Sequence, residues 1–217
     1  MKRAYIMKII SVVLLIISFA SQTAYGASEE DTKKLRAYVE ALIQEGSDLV
    51  NDKSLSEKDK KVKSGAMIKA HLHLDWMAKY TLGRHRRAIS EAQLKEFVKV
   101  YSLFVVKAYA DLTTNYKGEK AVLTNIKQID DDLFIVNSEL VRPGSQSSVK
   151  VDYLVHKIEG NKKDPYLIGD IITEGISILN SQQSEFNSVI SSHGIDWLTA
   201  DLKKRAQNNE NLAKVKK

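Results

Sequence analysis

The sequence predicts an α+β fold, with N-terminal and C-terminal helices packed on one face of an antiparallel four-stranded meander sheet. Two observations predict this class. Apolar residues recur at helical spacing before about residue 115 and again after residue 177, whereas β-branched and aromatic runs lie between these regions. The gaps between the four β-rich runs are short and consist of turn residues, which favours antiparallel neighbours.

The first 26 residues have the composition of a cleavable secretory signal. Three basic residues and no acidic residue accompany an apolar run over residues 9–20, and the small residues Ala24 and Gly26 follow it. We expect cleavage after Gly26. An uncleaved membrane anchor is the alternative, but the apolar run is shorter than the roughly 20 residues that span a bilayer.

Residues 27–206 are predicted to form one domain, and residues 207–217 a polar C-terminal tail. Removal of the signal lowers the formal net charge from +6 to +3, which does not indicate nucleic-acid binding. The sequence contains no cysteine, so disulfides, thiolate metal sites and cysteine nucleophiles are excluded. The signal predicts an exported protein that works outside the cytoplasm.

Helices are predicted first over residues 29–50, 56–74 and 75–82, with Gly83 as a C-cap and a basic connector over residues 84–88. The clearest helix begins after Ser90, which forms a capping box with Gln93, and extends to about residue 115. Its apolar residues extend beyond one stripe, so we expect it to be buried on several faces or to line a cavity.

Four strands and two further helices follow. The strands are predicted at Ala121–Ile129, Leu133–Val141, Val149–Ile158 and Tyr166–Thr173, with turns at 130–132, 143–148 and 160–165. The terminal helices are predicted at Ser177–Ser191 and Asp196–Ala206.

The residues that usually carry catalysis or bind metals form no convincing pattern. His71 and His73 lie about 200° apart on the predicted helix, so they cannot share a metal ion, and the remaining histidines are scattered. The segment Gly175–Ser177 resembles a nucleophile elbow but lacks its closing glycine, because Leu179 occupies that position. The acidic turn at 130–132 lacks the spacing of a calcium loop. The sequence therefore predicts no enzyme, no metal and no cofactor.

Arg84, Arg86 and Arg87 form a basic cluster before the long helix. The cluster is either a solvated loop or a contact for an acidic partner or anionic headgroups, each worth about 1 kcal/mol near such a surface.

Two stretches carry a family resemblance. The string D-x-x-x-E-G-x-S begins at Asp170, and Phe186 and the string G-I-D-x-L-x-x-x-L from Gly194 follow it. Upstream, D-x-M-A-x-x-x-L-G from Asp75 is followed by Phe97. These stretches resemble the C-terminal and middle segments of the MlaC-type (toluene-tolerance) auxiliary proteins. Two positions depart from the pattern: Tyr166 stands where many members have tryptophan, and Gln183 where many have arginine.

The resemblance implies a periplasmic phospholipid carrier with an NTF2/cystatin-like arrangement around an apolar lipid pocket. Such proteins hold the acyl tails between sheet and helices. They carry phospholipid between an outer-membrane lipoprotein–porin complex and an inner-membrane ABC transporter with an MCE-domain subunit, and so maintain outer-membrane lipid asymmetry. The arginine cluster is our candidate for partner binding.

Candidate lipid-binding residues are the large apolar side chains that this arrangement would place around a pocket. They are Met77, Leu82, Phe97, Tyr101, Phe104, Phe134, Val136, Val151, Tyr153, Val155, Ile168, Ile172, Ile176, Leu179 and Phe186. Core residues and pocket walls have the same composition, so the prediction rests on the set.

Three other functions stay open at this point. The first is a periplasmic binding protein for another apolar ligand, such as a quinone or a fatty acid. The second is an envelope interaction protein that carries nothing. An enzyme is the least favoured, because the sequence shows no catalytic constellation.

Overall fold

The structure is a computed structural model, and it describes residues 29–113, 116, 118–144, 147–160 and 165–207. The predicted signal sequence with its cleavage position Gly26 lies outside these residues, as does the predicted tail after Gln207. Within the described part of the chain, no helix is both long and apolar enough to cross a bilayer.

The described residues form six α-helices. They are α1 (Glu29–Asn51), α2 (Glu57–His71), α3 (Leu74–Thr81), α4 (Glu91–Leu112), α5 (Ile178–His193) and α6 (Ile195–Gln207). Helix α2 ends before the predicted position because Leu72 is extended and forms a β-bridge with Ile168. The predicted basic connector is mostly a 3₁₀ helix, Gly83–Arg87. The predicted capping box of Ser90 and Gln93 is present at the start of α4.

The sheet is an antiparallel meander, as predicted, but in the described part of the chain it has five strands rather than four. The strands are β1 (Lys120–Asp130), β2 (Leu133–Val141), β3 (Ser148–Lys157), β4 (Tyr166–Thr173) and β5 (Ile176–Ser177), paired in chain order. The two residues of β5 carry no strand signal of their own. A tight turn returns them against β4, where Ile172 pairs with Ser177.

The described residues form two apolar cores. The first lies among α3, α4, α5 and α6, where Phe97, Tyr101 and Phe186 contact one another through their rings. The second lies between α1 and the sheet. Its buried members are Leu35, Val39, Phe134, Val136, Val155 and Tyr166. Ile168 packs against both cores and so joins them.

Asp170 explains the most specific string of the sequence. The carboxylate of this buried residue accepts hydrogen bonds from the Ser177 hydroxyl (2.5 Å) and from the backbone N–H of Leu179 (3.1 Å) at the start of α5. The Ser177 hydroxyl in turn accepts from the Asn180 N–H, as an N-cap. The D-x-x-x-E-G-x-S string therefore fastens β4 to the N-terminus of α5, where the helix dipole favours an anion.

Glu174 and Gly175 make the intervening turn. Both have positive φ, 50° and 80° respectively, which is the backbone conformation of a two-residue type I′ hairpin loop. Glu174 also exchanges two hydrogen bonds with the backbone of Lys150 on β3. The acidic and glycine positions of the string are thus explained by turn geometry.

Candidate functional site

The site is an apolar cavity between α1 and the inner face of the sheet. Its volume is about 630 Å³, within the range of about 300–1,000 Å³ that is typical of ligand pockets. The cavity lies beside the second core, with which it shares Val39 and Val155.

Helix α1 forms one wall and four strands form the other. The helix contributes side chains that recur at three- and four-residue intervals, so a single face lines the cavity. These wall residues are Val39, Leu42, Ile43, Gly46, Ser47 and Val50. The strands contribute Ala121, Leu140, Tyr153, Val155 and Ile168. Cross-strand pairing brings the sheet residues together, since Ala121 faces Leu140 and Val155 faces Ile168.

Polar residues of the lining are Gln44 and Ser47 of α1, Tyr116, Glu119 and Lys120. Glu119 pairs with Arg142 at 3.1 Å. Lys120 is exposed and makes no ion pair within the described part of the chain. The lining therefore combines apolar walls with groups that can face water or a polar headgroup.

Tyr153 is an ionisable side chain among the largely apolar strand residues of the cavity wall. Burial raises the pKa of its phenol above the ordinary value, and a hydrogen bond with Ser138 opposes part of that rise. The phenol therefore stays neutral at physiological pH, and no charge develops in the apolar wall.

Three of the fifteen predicted lipid-binding residues line this cavity, namely Tyr153, Val155 and Ile168. Phe134 and Val136 are buried in the adjoining core on the neighbouring strand. The seven helical candidates lie together in the first core, away from the lining. They are Met77, Leu82, Phe97, Tyr101, Phe104, Leu179 and Phe186.

The remaining candidates are on the sheet. Val151 and Ile172 are half-buried and do not line the cavity, and Ile176 of β5 is 66% exposed. The α1 wall is missing from the predicted set. The apolar stripe of Val39, Leu42 and Ile43 was visible in the sequence, but nothing in a local pattern shows that this helix covers the sheet.

The positions that depart from the family pattern have structural roles. Gln183 donates its side-chain N–H to the carbonyl oxygen of Tyr80 at 2.7 Å and so joins α5 to α3. Tyr166 is buried in the second core, where its ring contacts Phe134 edge-on. Neither residue lines the cavity.

Arg84, Arg86 and Arg87 are exposed on the 3₁₀ helix. Arg84 donates to the Ser191 hydroxyl at 3.3 Å. None of the three forms an ion pair with a carboxylate of the described residues, so their charges are available to a partner.

Two histidines that are distant in sequence meet behind the strand wall. The rings of His73 and His156 lie 5.1 Å apart, and Trp76 packs against both. A Cβ atom at Gly169 would lie 2.5 Å from His156 Nε2, so only glycine leaves room for this imidazole. The backbone N–H of His73 also donates a hydrogen bond to the carbonyl oxygen of Ile168, which lines the cavity.

We expect acid to destabilise the protein through His73 and His156. Burial lowers the pKa of His73 and that of His156, and for His156 the neighbouring His73 lowers it further. Asp75 raises the pKa of His73, whereas Lys79 lowers it. Asp132 raises the pKa of His156. Because the unfolded chain binds these protons more readily, stability is full above about pH 6.5 and falls as the pH drops below it.

The double variant His73→Gln/His156→Gln should flatten the dependence of the unfolding free energy on pH between about 6.5 and 5, where each histidine contributes at most about 1.4 kcal/mol per pH unit. Urea unfolding of lipid-free protein at stepped pH measures the slope. His193→Gln is the control. An unchanged slope in the double variant contradicts the assignment.

The fold and the cavity define a class, an α+β binding protein with an apolar site. Within the described residues, no group of three or more histidine, aspartate or glutamate side chains is placed to hold a metal ion.

Comparison with known proteins identifies the family. The family model for MlaC protein matches residues 36–204, most of the chain. The chain is similar to the intermembrane phospholipid transport system binding protein MlaC of Haemophilus influenzae, with 22% identity over 137 residues. That alignment spans 63% of this chain and 63% of the relative, less than two thirds of either length.

The fold also matches a solved structure. The phospholipid-binding protein from Ralstonia solanacearum, solved in complex with a phospholipid, superposes with a TM-score of 0.62 at 17% identity. The match covers 81% of this chain and 96% of that protein. The chain belongs to the MlaC family. Its membership places it among binding proteins rather than enzymes, as the sequence predicts.

Proposed function

We propose that this protein is a periplasmic phospholipid carrier. It shuttles glycerophospholipid between an outer-membrane lipoprotein–porin complex and an inner-membrane ABC transporter with an MCE-domain subunit, and so maintains outer-membrane lipid asymmetry. The observation that carries the proposal is the apolar cavity between α1 and the sheet. The names of the Haemophilus and Ralstonia relatives support a phospholipid as the ligand.

A carrier of this kind needs apolar walls and no catalytic group. A two-chain phospholipid has roughly 28 methylenes, and removal of each from water is worth about 0.8 kcal/mol. A free lipid would therefore face a barrier on the order of 20 kcal/mol in crossing an aqueous compartment. Walls such as Leu42, Ile43 and Ile168 supply the apolar contacts that lower this barrier.

In the proposed complex the acyl tails lie between α1 and the strands. The headgroup remains near solvent beside the polar lining residues Ser47, Tyr116 and Lys120. The predicted residues Tyr153, Val155 and Ile168 would contact the tails directly. The helical candidates of the first core stay a prediction.

Gentle purification of the protein from its natural periplasm, followed by solvent extraction and mass spectrometry, tests the ligand. We expect two-chain glycerophospholipid at a stoichiometry near one per chain. Recovery of a quinone or a free fatty acid would support the alternative binding function. A protein that carries no lipid of any kind would be an envelope interaction protein, and the carrier proposal would be rejected.

The arginine cluster supplies a prediction about partners. Charge reversal of Arg84, Arg86 and Arg87 to glutamate should weaken docking to the inner-membrane transporter roughly tenfold or more, because exposed unpaired charges mainly govern encounter with an oppositely charged surface. Surface plasmon resonance with the immobilised transporter measures docking, and lipid content checks that the cavity is still occupied. Unchanged docking would dismiss the role of this cluster.

A further inference from the structure

A second concave surface lies on the helices, apart from the cavity between α1 and the sheet. It is a groove of about 560 Å³ among α2, α4 and the C-terminal end of α6. None of its lining residues belongs to the cavity between α1 and the sheet. We call it the lysine groove, and define it by the four lysines that line it: Lys61, Lys69, Lys107 and Lys203.

The floor of the lysine groove is apolar, and its small side chains allow a partner to approach closely. It contains small side chains, among them Gly65, Ala66, Ala110 and Ala206. A Cβ atom at Gly65 would lie 3.4 Å from the Val106 side chain, so α2 and α4 are already close at this point. Small residues of this kind leave space for the side chains of a further helix.

Two large apolar side chains flank the floor and are exposed to water. Val62 of α2 is 65% exposed and Leu103 of α4 is 57% exposed. Leu103 belongs to the apolar residues that widen α4 beyond its core-facing stripe. Burial of these two side chains by a partner would remove apolar surface from water and so favour binding.

The charge of the groove identifies the chemistry of its occupant. Asp111 is held by two of the lysines, with Lys61 and Lys107 each 3.1 Å from its carboxylate. Lys69 and Lys203 are exposed and form no ion pair within the described residues. The lining therefore has four positive charges against one negative charge, and it favours a partner with carboxylates on both sides of an apolar stripe.

We propose that the lysine groove is a docking site for an amphipathic helix of a partner protein, with an apolar stripe flanked by acidic residues. A second copy of this chain that docks groove to groove is a poor occupant, because the two positive grooves repel each other. The ten residues after Gln207 contain three lysines and one glutamate, so their charge also disfavours them. A planar bilayer would not reach the floor of a concave groove.

The lysine groove is separate from the arginine cluster. Leu103 lies twelve residues along α4 from Glu91, about 18 Å at 1.5 Å per residue, whereas the 3₁₀ helix of the arginines precedes Glu91. The two basic surfaces can therefore be tested independently.

A photo-crosslinking amino acid at Leu103, in the full-length chain made by its natural cells, tests the proposal. Tandem mass spectrometry of the crosslinked peptide should identify an acidic amphipathic segment of another protein. The same probe at Ile129, which is exposed on β1 outside the groove, controls for non-specific capture. Crosslinks to lipid, to a second copy or to the chain itself, or none above the Ile129 control, would overturn the proposal.

The charge requirement is tested with matched variants. Lys69→Glu/Lys203→Glu should lower the crosslinking yield, and the affinity for a synthetic peptide of the captured segment, about tenfold or more. Lys63→Glu/Lys204→Glu makes the same charge change on the same two helices at exposed positions outside the groove, and it should change the affinity less than about threefold. Equal effects of the two pairs would show that only net charge matters and would reject the groove as the site.

Discussion

Protein with Ile43→Trp and Ala121→Trp is expected to co-purify with at least about tenfold less phospholipid than the wild type. The two residues face the cavity from α1 and from β1 respectively. Two indole rings would occupy space that the acyl tails need, and each methylene excluded from the apolar wall costs about 0.8 kcal/mol of binding. Displacement of only two methylenes already exceeds the 1.4 kcal/mol of a tenfold loss in affinity. Native mass spectrometry of the purified protein measures the occupancy.

Val122→Trp is the matched control for the strand substitution. Val122 is next to Ala121 on β1 but is 49% exposed, because adjacent residues of a strand point to opposite faces. This control should retain its lipid. If the double variant keeps a full complement of phospholipid while its circular dichroism is unchanged, the lipid does not bind between α1 and the sheet.

Asp170→Ala should destabilise the protein by about 3 kcal/mol, the second large effect that we expect. The substitution removes a buried carboxylate and leaves the Ser177 hydroxyl and the Leu179 N–H without their acceptor. Hydrogen bonds to charged groups contribute about 1.5–3 kcal/mol, and buried donors left unpaired cost about 1–3 kcal/mol. Urea unfolding of delipidated protein measures the change, since a bound ligand would raise the apparent stability.

Two further variants separate the parts of this contact. Ser177→Ala should cost only about 1 kcal/mol, because it removes an N-cap but leaves the bond from Leu179 to Asp170. Asp131→Ala, in the exposed turn between β1 and β2, should change stability by less than about 0.5 kcal/mol. A stable Asp170→Ala variant that had lost its lipid would instead assign the string to ligand binding, contrary to the geometry.

Much of the fold could be predicted because each element leaves a local pattern. The strand bounds of β2 and β4 agree with the predicted ranges, since β-branched runs end there in turn residues. The capping box of α4 was readable because it needs only Ser90 and Gln93. The short strand β5 could not be predicted, because two residues have no periodicity and the turn at Glu174 and Gly175 creates the pairing.

The candidate site was only partly predictable. Tyr153, Val155 and Ile168 were in the predicted set because they are large apolar side chains of the predicted strands. The α1 wall required knowledge of which helix covers the sheet. The histidine pair could not be predicted for the same reason, because His73 and His156 come together only when α3 packs against the sheet.

The sequence by itself determined the class of fold, the order of its elements and the membership of the MlaC family, because caps, turns and periodic apolar residues are local features. Only the tertiary structure decided which apolar side chains fill a core and which surround empty space. The physical reason is that both sets have the same composition and differ only in whether a neighbouring element closes the gap. The string at Asp170 shows the same division: the sequence identified the family through it, and the structure showed that it fastens a strand to a helix.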